Sequence, residues 1–229
     1  MERIKKMAKR LNPNQIIRID AKNTFMEVVN DSFSLGKVQI NFCKYNEKTK
    51  KQILRIEIYL SFDKARVLVY DILSGRLDKR ISDAKEAGSF EQQKINSFTS
   101  YFTDMGGINF SRNGGLGKWK FEKNRKMYPW IEEGKVLSRQ FKIMESTKYK
   151  YLFLAECGLG TISSTGLIIP EGYPKETIKI PLTEENALEL ALGLKEHLEA
   201  FTNQYYQKFG DTLFKKQECN IFIKPKKEE

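Results

Sequence analysis

The chain has 229 residues, of which 40% are hydrophobic, 12% aromatic and 30% charged, and this excludes a disordered protein because enough apolar side chains are present to bury a core. Its 40 Lys and Arg against 29 Asp and Glu give a formal net charge of +11, with +7 in residues 1–60, +7 in residues 61–150 and −3 in residues 151–229. Such asymmetry predicts an anionic partner: a nucleic acid, an anionic membrane or an acidic protein. A basic protein without a specific partner stays open as the alternative.

Alternating apolar and polar residues predict strands at the start of the fold. GKVQINFC (36–43) and QILRIEIYL (52–60) show this alternation on either side of a lysine-rich hairpin loop. The segments ARVLVYDIL (65–73) and RLDKRI (76–81) fit a third and a fourth strand. The prediction is a four-stranded meander, preceded by a basic N-terminal segment over residues 1–34.

A change of period predicts a helix over residues 90–105, followed by a second set of strands. Apolar residues recur at helical spacing from Phe90 to Met105, and the pair Gly106-Gly107 is typical of a helix end. Alternation then returns. The strands predicted from it cover residues 117–123, 137–144, 149–156, 159–169 and 176–181.

The last helix is predicted from residue 184 onward. Thr183 fits an N-cap, and Glu184 and Glu185 place negative charge at the positive end of the helix dipole. An apolar stripe follows from residue 187 to Tyr205, and Gly210 fits a stop. Residues 35–209 are therefore assigned to a single domain and residues 210–229 to a C-terminal tail.

The predicted order is β4-α-β4-α, an α+β fold of two antiparallel sheet-plus-helix units. Over residues 35–207 this order, with basic and aromatic residues alternating along the strands, resembles the Whirly and Pur-alpha-like proteins and, more loosely, the positive-cofactor-four coactivators. The resemblance implies a curved sheet that binds single-stranded nucleic acid through Lys, Arg and aromatic side chains on its exposed face.

The segment GGINFSRNGGLGKWKFEKNRK (106–126) combines glycines, a tryptophan and many cations. It is not a phosphate-binding P-loop, because Arg112 and Trp119 stand where that motif needs Gly and Ser or Thr. Likewise, Gly158-Leu159-Gly160 lacks both the following helix and the third glycine of a dinucleotide-binding motif. The segment is instead interpreted as a basic hairpin arm that bends around a nucleic-acid strand.

Candidate nucleic-acid contacts fall in two groups of cations with neighbouring aromatic residues. Bases would stack on the aromatic rings, although Trp119 and Phe121 share a strand face that more often belongs to a core. The predicted contacts in the first half are Lys37, Lys44, Lys48, Lys50, Lys51 and Arg55, and those in the second half are Arg112, Lys118, Trp119, Lys120, Lys123, Arg125, Lys126, Tyr128 and Trp130.

Little in the sequence favours catalysis, so no enzyme activity, cofactor or metal is expected. His197 lies on the last helix, and Asp63, Asp71, Asp78 and Asp83 have basic neighbours that favour surface ion pairs over a metal site. The three cysteines, Cys43, Cys157 and Cys219, are far apart and are predicted to be free thiols.

The sequence thus predicts a non-enzymatic protein that binds single-stranded nucleic acid, more often DNA than RNA, in replication, recombination or transfer of a bacterial or mobile element. No apolar run approaches the roughly 18 residues of a membrane span, and the N-terminus lacks a signal-peptide core, so a cytoplasmic location is expected. The alternative is a protein-interaction or assembly module of phage or plasmid origin without specific nucleic-acid binding, whose last helix packs against a partner or, as a homo-oligomer, against a second copy. A duplex-DNA regulator is disfavoured because no helix-turn-helix pair is predicted.

Overall fold

The structure, a computed structural model, describes residues 14–86, 99–103, 128–132, 135–165 and 168–221. Its described residues form an α+β fold of two antiparallel sheets and three α-helices, with a short 3-10 helix at Phe33–Leu35. The predicted fold class is confirmed, but several predicted elements are replaced by others.

The first sheet is a meander in the order β1-β2-β3-β4, as predicted, but half of its strands come from an unexpected part of the chain. Its strands are β1 (Gln15–Asp20), β2 (Thr24–Val29), β3 (Lys37–Tyr45) and β4 (Gln52–Ser61). β1 and β2 lie within the segment that was assigned to a separate N-terminal region. The boundary placed at residue 34 therefore falls inside the first sheet, between β2 and β3.

Two helices occupy the segments predicted as the third and fourth strands. They are α1 (Phe62–Leu73) and α2 (Arg76–Glu86). In α1 the buried residues Ala65, Leu68, Val69 and Ile72 follow the helical spacing i, i+3, i+4, i+7. The Ser61 hydroxyl caps the helix by accepting from Lys64 N at 3.4 Å. The prediction of strands was wrong because it followed the β-branched residues of this segment and not the helical spacing of its apolar residues.

The second sheet has five strands. Four of them follow the order β5-β6-β7-β8, and the fifth, β9, pairs with β7. Its strands are β5 (Thr99–Thr103), β6 (Val136–Glu145), β7 (Tyr151–Ile162), β8 (Ile168–Pro170) and β9 (Glu176–Leu182). β6 and β9 confirm the strands predicted at 137–144 and 176–181. The strands predicted at 149–156 and 159–169 are divided differently, since β7 continues through the predicted break and β8 is a separate short strand. The helix predicted over residues 90–105 is contradicted at its end, since β5 pairs with β6 there. Thr, Tyr and Phe in TSYFT favour a strand. Residues 90–98 and the strand predicted at 117–123 lie outside the described residues.

The glycines of the ECGLGT segment lie within β7, which confirms that they do not form a dinucleotide-binding turn. A Cβ atom on Gly160 would lie 2.9 Å from the carbonyl oxygen of Ile169 on β8. The glycine is thus needed for the close approach of two strands.

The last helix, α3 (Glu184–Ile221), begins as predicted and extends beyond its predicted end. Asn186 N donates to Thr183 Oγ1 at 3.1 Å, which confirms the N-cap. Gly210 does not stop the helix, so the tail assigned to residues 210–229 begins inside α3. A single glycine lowers the stability of a helix by only about 1 kcal/mol relative to alanine, which is too little to end a helix of 38 residues.

One contiguous hydrophobic core joins the two sheets and the helices. The apolar faces of the sheets meet where the rings of Phe42 and Phe141 lie 5.7 Å apart, and α3 contributes the buried residues Leu190, Leu194 and Leu198. The opposite face of the first sheet carries polar side chains, and the predicted contacts Lys37 and Arg55 lie on it.

Candidate nucleic-acid interface

Two turns at one end of the first sheet bring lysines together. The hairpin between β3 and β4 and the turn between β1 and β2 are adjacent, because Tyr45 N donates to the carbonyl of Asn23 at 3.0 Å. We call this group the lysine tip. Its members are Lys22, Lys44, Lys48, Lys50 and Lys51, all exposed except the half-buried Lys44.

The hairpin that carries the lysine tip has a defined turn. Asn46 Oδ1 accepts from Lys48 N at 2.9 Å and from Thr49 N at 3.0 Å. Lys50 N donates to the carbonyl of Asn46 at 2.8 Å, and Lys50 has a left-handed φ of 54°. These contacts fix the backbone, so the lysines project from an ordered loop.

An aromatic pair with two cations lies next to the lysine tip. The rings of Phe25 and Tyr45 are 6.5 Å apart and both are half-buried. Arg18 Cζ lies 3.8 Å from the centre of the Phe25 ring, and Lys50 Nζ lies 5.9 Å from that of Tyr45. Cations and aromatic rings are thus interleaved at this end of the sheet.

The polar face beyond the lysine tip has paired rather than uniformly basic charges. Arg55 Nε lies 3.1 Å from Glu57 Oε1, and the Tyr59 hydroxyl donates to Glu57 Oε2 at 3.0 Å. Asn41 Nδ2 donates to Glu27 Oε1 at 3.0 Å. Arg55, a predicted contact, therefore shares its charge with a carboxylate, unlike the lysines exposed on the hairpin.

Lys37 lies at the other end of β3, where it is paired with Ser61 of β4. The two ends of the strand, Lys37 and Lys44, are roughly 23 Å apart at ~3.3 Å per residue. The structure thus gathers Lys44, Lys48, Lys50 and Lys51 in one place and separates Lys37 from them.

Tyr128 is a core residue, and Trp130 is half-buried against the core, so neither is a free stacking platform. Tyr128 is only 3% exposed, and its hydroxyl donates to the carbonyl of Arg55 on the edge strand β4. Its ring centre is 5.5 Å from that of Trp130, which packs against the core. Burial raises the pKa of Tyr128. The Tyr128 side chain is thus bound to an edge strand, and base stacking on its ring would require it to leave that strand.

The remaining predicted contacts of the second half lie outside the described residues. They are Arg112, Lys118, Trp119, Lys120, Lys123, Arg125 and Lys126.

The structure has a second feature that the sequence analysis did not predict, which we call the aromatic groove. It has a volume of about 580 Å³ and lies between the 3-10 helix, the start of α1 and the second half of α3. Phe33, Phe62 and Phe201 form its base, with ring centres 5.1 to 5.6 Å apart. Phe201 and Tyr205 had been assigned to the apolar stripe of the last helix, and only their spacing to Phe209 hinted at a continuing aromatic row.

The cysteines and the histidine of the described residues show no arrangement for catalysis or metal binding. Burial raises the pKa of Cys43 to about 11 and that of Cys157 to about 12, so both thiols are protonated at neutral pH. His197 lies exposed on α3 and its Nδ1 is 2.9 Å from the Gly193 carbonyl oxygen. Across the described ranges, no group of three or more His, Cys, Asp or Glu side chains is arranged to hold a metal ion.

The consecutive helices α1 and α2 correct the premise that no helix pair is present. Arg76 and Arg80 of α2 both donate to the buried carboxylate of Asp71, and Asp78 is bound by Tyr151 at the start of β7 and by the residue before it, Lys150. Arg76 and Arg80 therefore stabilise the junction between the two helices, and Asp71 is buried rather than part of a surface ion pair.

Comparison with models of known protein families, with curated proteins and with solved structures finds no match. Within the described part of the chain, no helix combines the length and apolar character needed to cross a membrane.

Proposed function

We propose that the protein binds single-stranded nucleic acid through the lysine tip, DNA in preference to RNA, and that it does so without catalysing a reaction. The observation that carries this proposal is the convergence of four lysines from two adjacent turns, together with Lys44 near the end of β3, beside the Phe25–Tyr45 pair. Lysines attract phosphates from any sequence, and neighbouring rings accept unstacked bases.

The lysine tip acts by exchanging counterions. Each phosphate that a lysine neutralises releases condensed cations, so affinity falls steeply as salt rises. An extended strand presents both phosphates and base faces at once, whereas a duplex hides its bases. Rings beside cations therefore favour the single strand.

The proposal includes a Whirly-like use of the fold, in which an antiparallel sheet offers cations and aromatic rings to a strand. It also places the protein in the cytoplasm, in replication, recombination or transfer of a bacterial or mobile element. The net charge of +11 supports a polyanionic partner in that setting.

The test is a fluorescence-anisotropy titration of labelled single-stranded DNA, single-stranded RNA and duplex DNA at several salt concentrations. The wild type should bind single-stranded DNA most tightly. The variant Lys48→Glu/Lys51→Glu, which spares Lys50 and its left-handed backbone, should bind at least about tenfold more weakly, and its salt slope should be shallower by roughly 0.7 for each lost contact.

The matched control is Lys148→Glu/Lys195→Glu, which changes two exposed lysines outside the lysine tip by the same charge. If both double variants lost affinity equally, net charge rather than the lysine tip would explain binding. If neither lost any, the lysine tip would not be the interface.

Protein assembly is the second candidate function. Leu188 and Leu192 lie one turn apart on α3 and are exposed, which favours a contact with another protein or a second copy. Light scattering of the wild type over a range of concentrations distinguishes the two. Self-association without affinity for any nucleic acid would favour assembly.

A further inference from the structure

The aromatic groove leaves three large aromatic side chains substantially exposed to solvent. Tyr205, Tyr206 and Phe209 of α3 are 46%, 56% and 41% exposed. Leaving apolar area in water is unfavourable, and a contiguous exposed patch of this kind usually marks a binding surface. The three rings lie within five residues of one helix, above a base that Phe33, Phe62 and Phe201 already fill.

The arrangement of the rings suits a flat aromatic ligand. Phe201 and Tyr205 are nearly parallel, at 22° and 6.5 Å between ring centres. Tyr205 and Phe209 lie 4.9 Å apart at 43°. A planar group entering from solvent would meet both faces and edges of these rings, the two orientations in which aromatic pairs attract.

The charges of the groove identify the class of ligand. Both charged side chains among its described lining residues are cations, Arg66 and Lys208. Arg66 donates to Thr202 Oγ1 at 2.8 Å, and Lys208 Nζ lies 5.4 Å from the centre of the Phe209 ring. Asp63, 3.5 Å from Arg66, is 94% exposed and offsets that charge only in part. Rings beside cations fit a base with its adjacent phosphate better than an apolar peptide.

We propose that the aromatic groove binds unstacked bases of single-stranded nucleic acid, with Arg66 and Lys208 holding the phosphates beside them. This inference rests on the proposed function and extends its site. Lys37 follows Gly36 of the groove and begins β3, whose other end carries the lysine tip. A strand bound at the lysine tip therefore has a cation at each end of β3 and an aromatic site beyond it.

The test combines photo-crosslinking with affinity. An oligodeoxythymidine carrying 5-iodouracil, irradiated on the full-length wild type, should give crosslinked peptides that contain Tyr205, Tyr206 or Phe209. The variant Tyr205→Ala/Tyr206→Ala should bind the same oligonucleotide about tenfold more weakly, since one stacked base contributes that order of affinity.

Two further variants separate stacking from folding. Tyr206→Phe keeps the ring and should bind as the wild type does. Tyr173→Ala removes a tyrosine that is 91% exposed on the loop between β8 and β9, and it should leave both crosslinks and affinity unchanged. Thermal midpoints close to that of the wild type establish that each variant is folded.

The outcomes distinguish the two proposals. If Lys48→Glu/Lys51→Glu weakens binding while Tyr205→Ala/Tyr206→Ala does not, and crosslinks map elsewhere, the groove proposal is overturned and the lysine tip stands. If the groove variant changes only the mass measured by light scattering, a second copy occupies the groove and the proposal is likewise wrong. If the wild type binds no single strand, both proposals fail.

Discussion

Asp71 joins α1 to α2 at a point where its side chain is fully buried. Arg76 and Arg80 donate to its two carboxylate oxygens, and both arginines keep about half of their surface in water. A buried carboxylate needs such partners because desolvation would otherwise favour its neutral form. The contact thus holds two helices at a fixed turn of two residues.

Replacing Asp71 with Ala should lower the free energy of unfolding by about 2 kcal/mol. Breaking a buried ion pair costs more than that when a charge is left buried, but here the arginines return to solvent. Urea denaturation measures the loss. The matched control Asp20→Ala removes a carboxylate from the exposed pair with Arg18 and should cost less than about 1 kcal/mol. Equal losses would contradict a special role for Asp71.

For single residues, the predicted contacts show how far exposure to solvent can be predicted from residue type and neighbours. Lys48, Lys50 and Lys51 were correctly expected on an exposed hairpin, because a polar run between two alternating segments has no other place in a sheet. Tyr128 was expected at a surface and is buried. Residue type alone does not tell whether an amphipathic ring faces a strand edge or a ligand.

At the scale of elements, α3 depends on its N-cap. Thr183 Oγ1 accepts from Asn186 N, and the Thr183 carbonyl accepts from Ala187 N at 3.1 Å. Thr183→Ala should lower the free energy of unfolding by about 1 kcal/mol, because a backbone donor loses its partner. Thr183→Ser keeps the hydroxyl and should preserve most of the stability. Denaturation midpoints decide, and an unchanged Ala variant would mean that water replaces the cap without cost.

Elements with one clear period were predicted well, and elements with mixed signals were not. β3 and β4 alternate between apolar and polar residues along most of their length, so their faces follow from the sequence. In residues 65–73 a helical spacing of apolar residues coexists with β-branched residues. The segment is a helix, and in that conformation Leu68 and Ile72 both pack into the core. β1 and β2 were missed because their alternation is short and lies next to basic residues.

For the whole molecule, stability should fall at alkaline pH. Burial raises the pKa of Cys43 to about 11, those of Cys157 and Tyr59 to about 12, and that of Tyr128 as well. The unfolded chain loses these protons first, near the ordinary thiol and phenol values of about 8.5 and 10. The stability contributed by these groups is therefore complete below pH 8.5 or so and is lost as pH rises through the folded values.

Urea denaturation at successive pH values from neutral to strongly alkaline tests this expectation. Tyr59→Phe removes one of the four titrating groups, and its stability should decline less steeply above the ordinary phenol pKa. A wild-type unfolding free energy that stays constant into strongly alkaline solution would show that these groups ionise without opposing the fold.

The amino-acid sequence was enough to predict the α+β class, the basic character of the first 150 residues, the lysine hairpin, strands β6 and β9 and the start of α3. These features are local, since alternation, capping residues and charge are set by neighbours along the chain. Three features became known only from the folded chain: the segments that complete the first sheet, the burial of Tyr128, and the groove formed where Phe33, Phe62 and Phe201 meet. Those outcomes depend on residues far apart in sequence competing for the same core, and no local pattern records that competition.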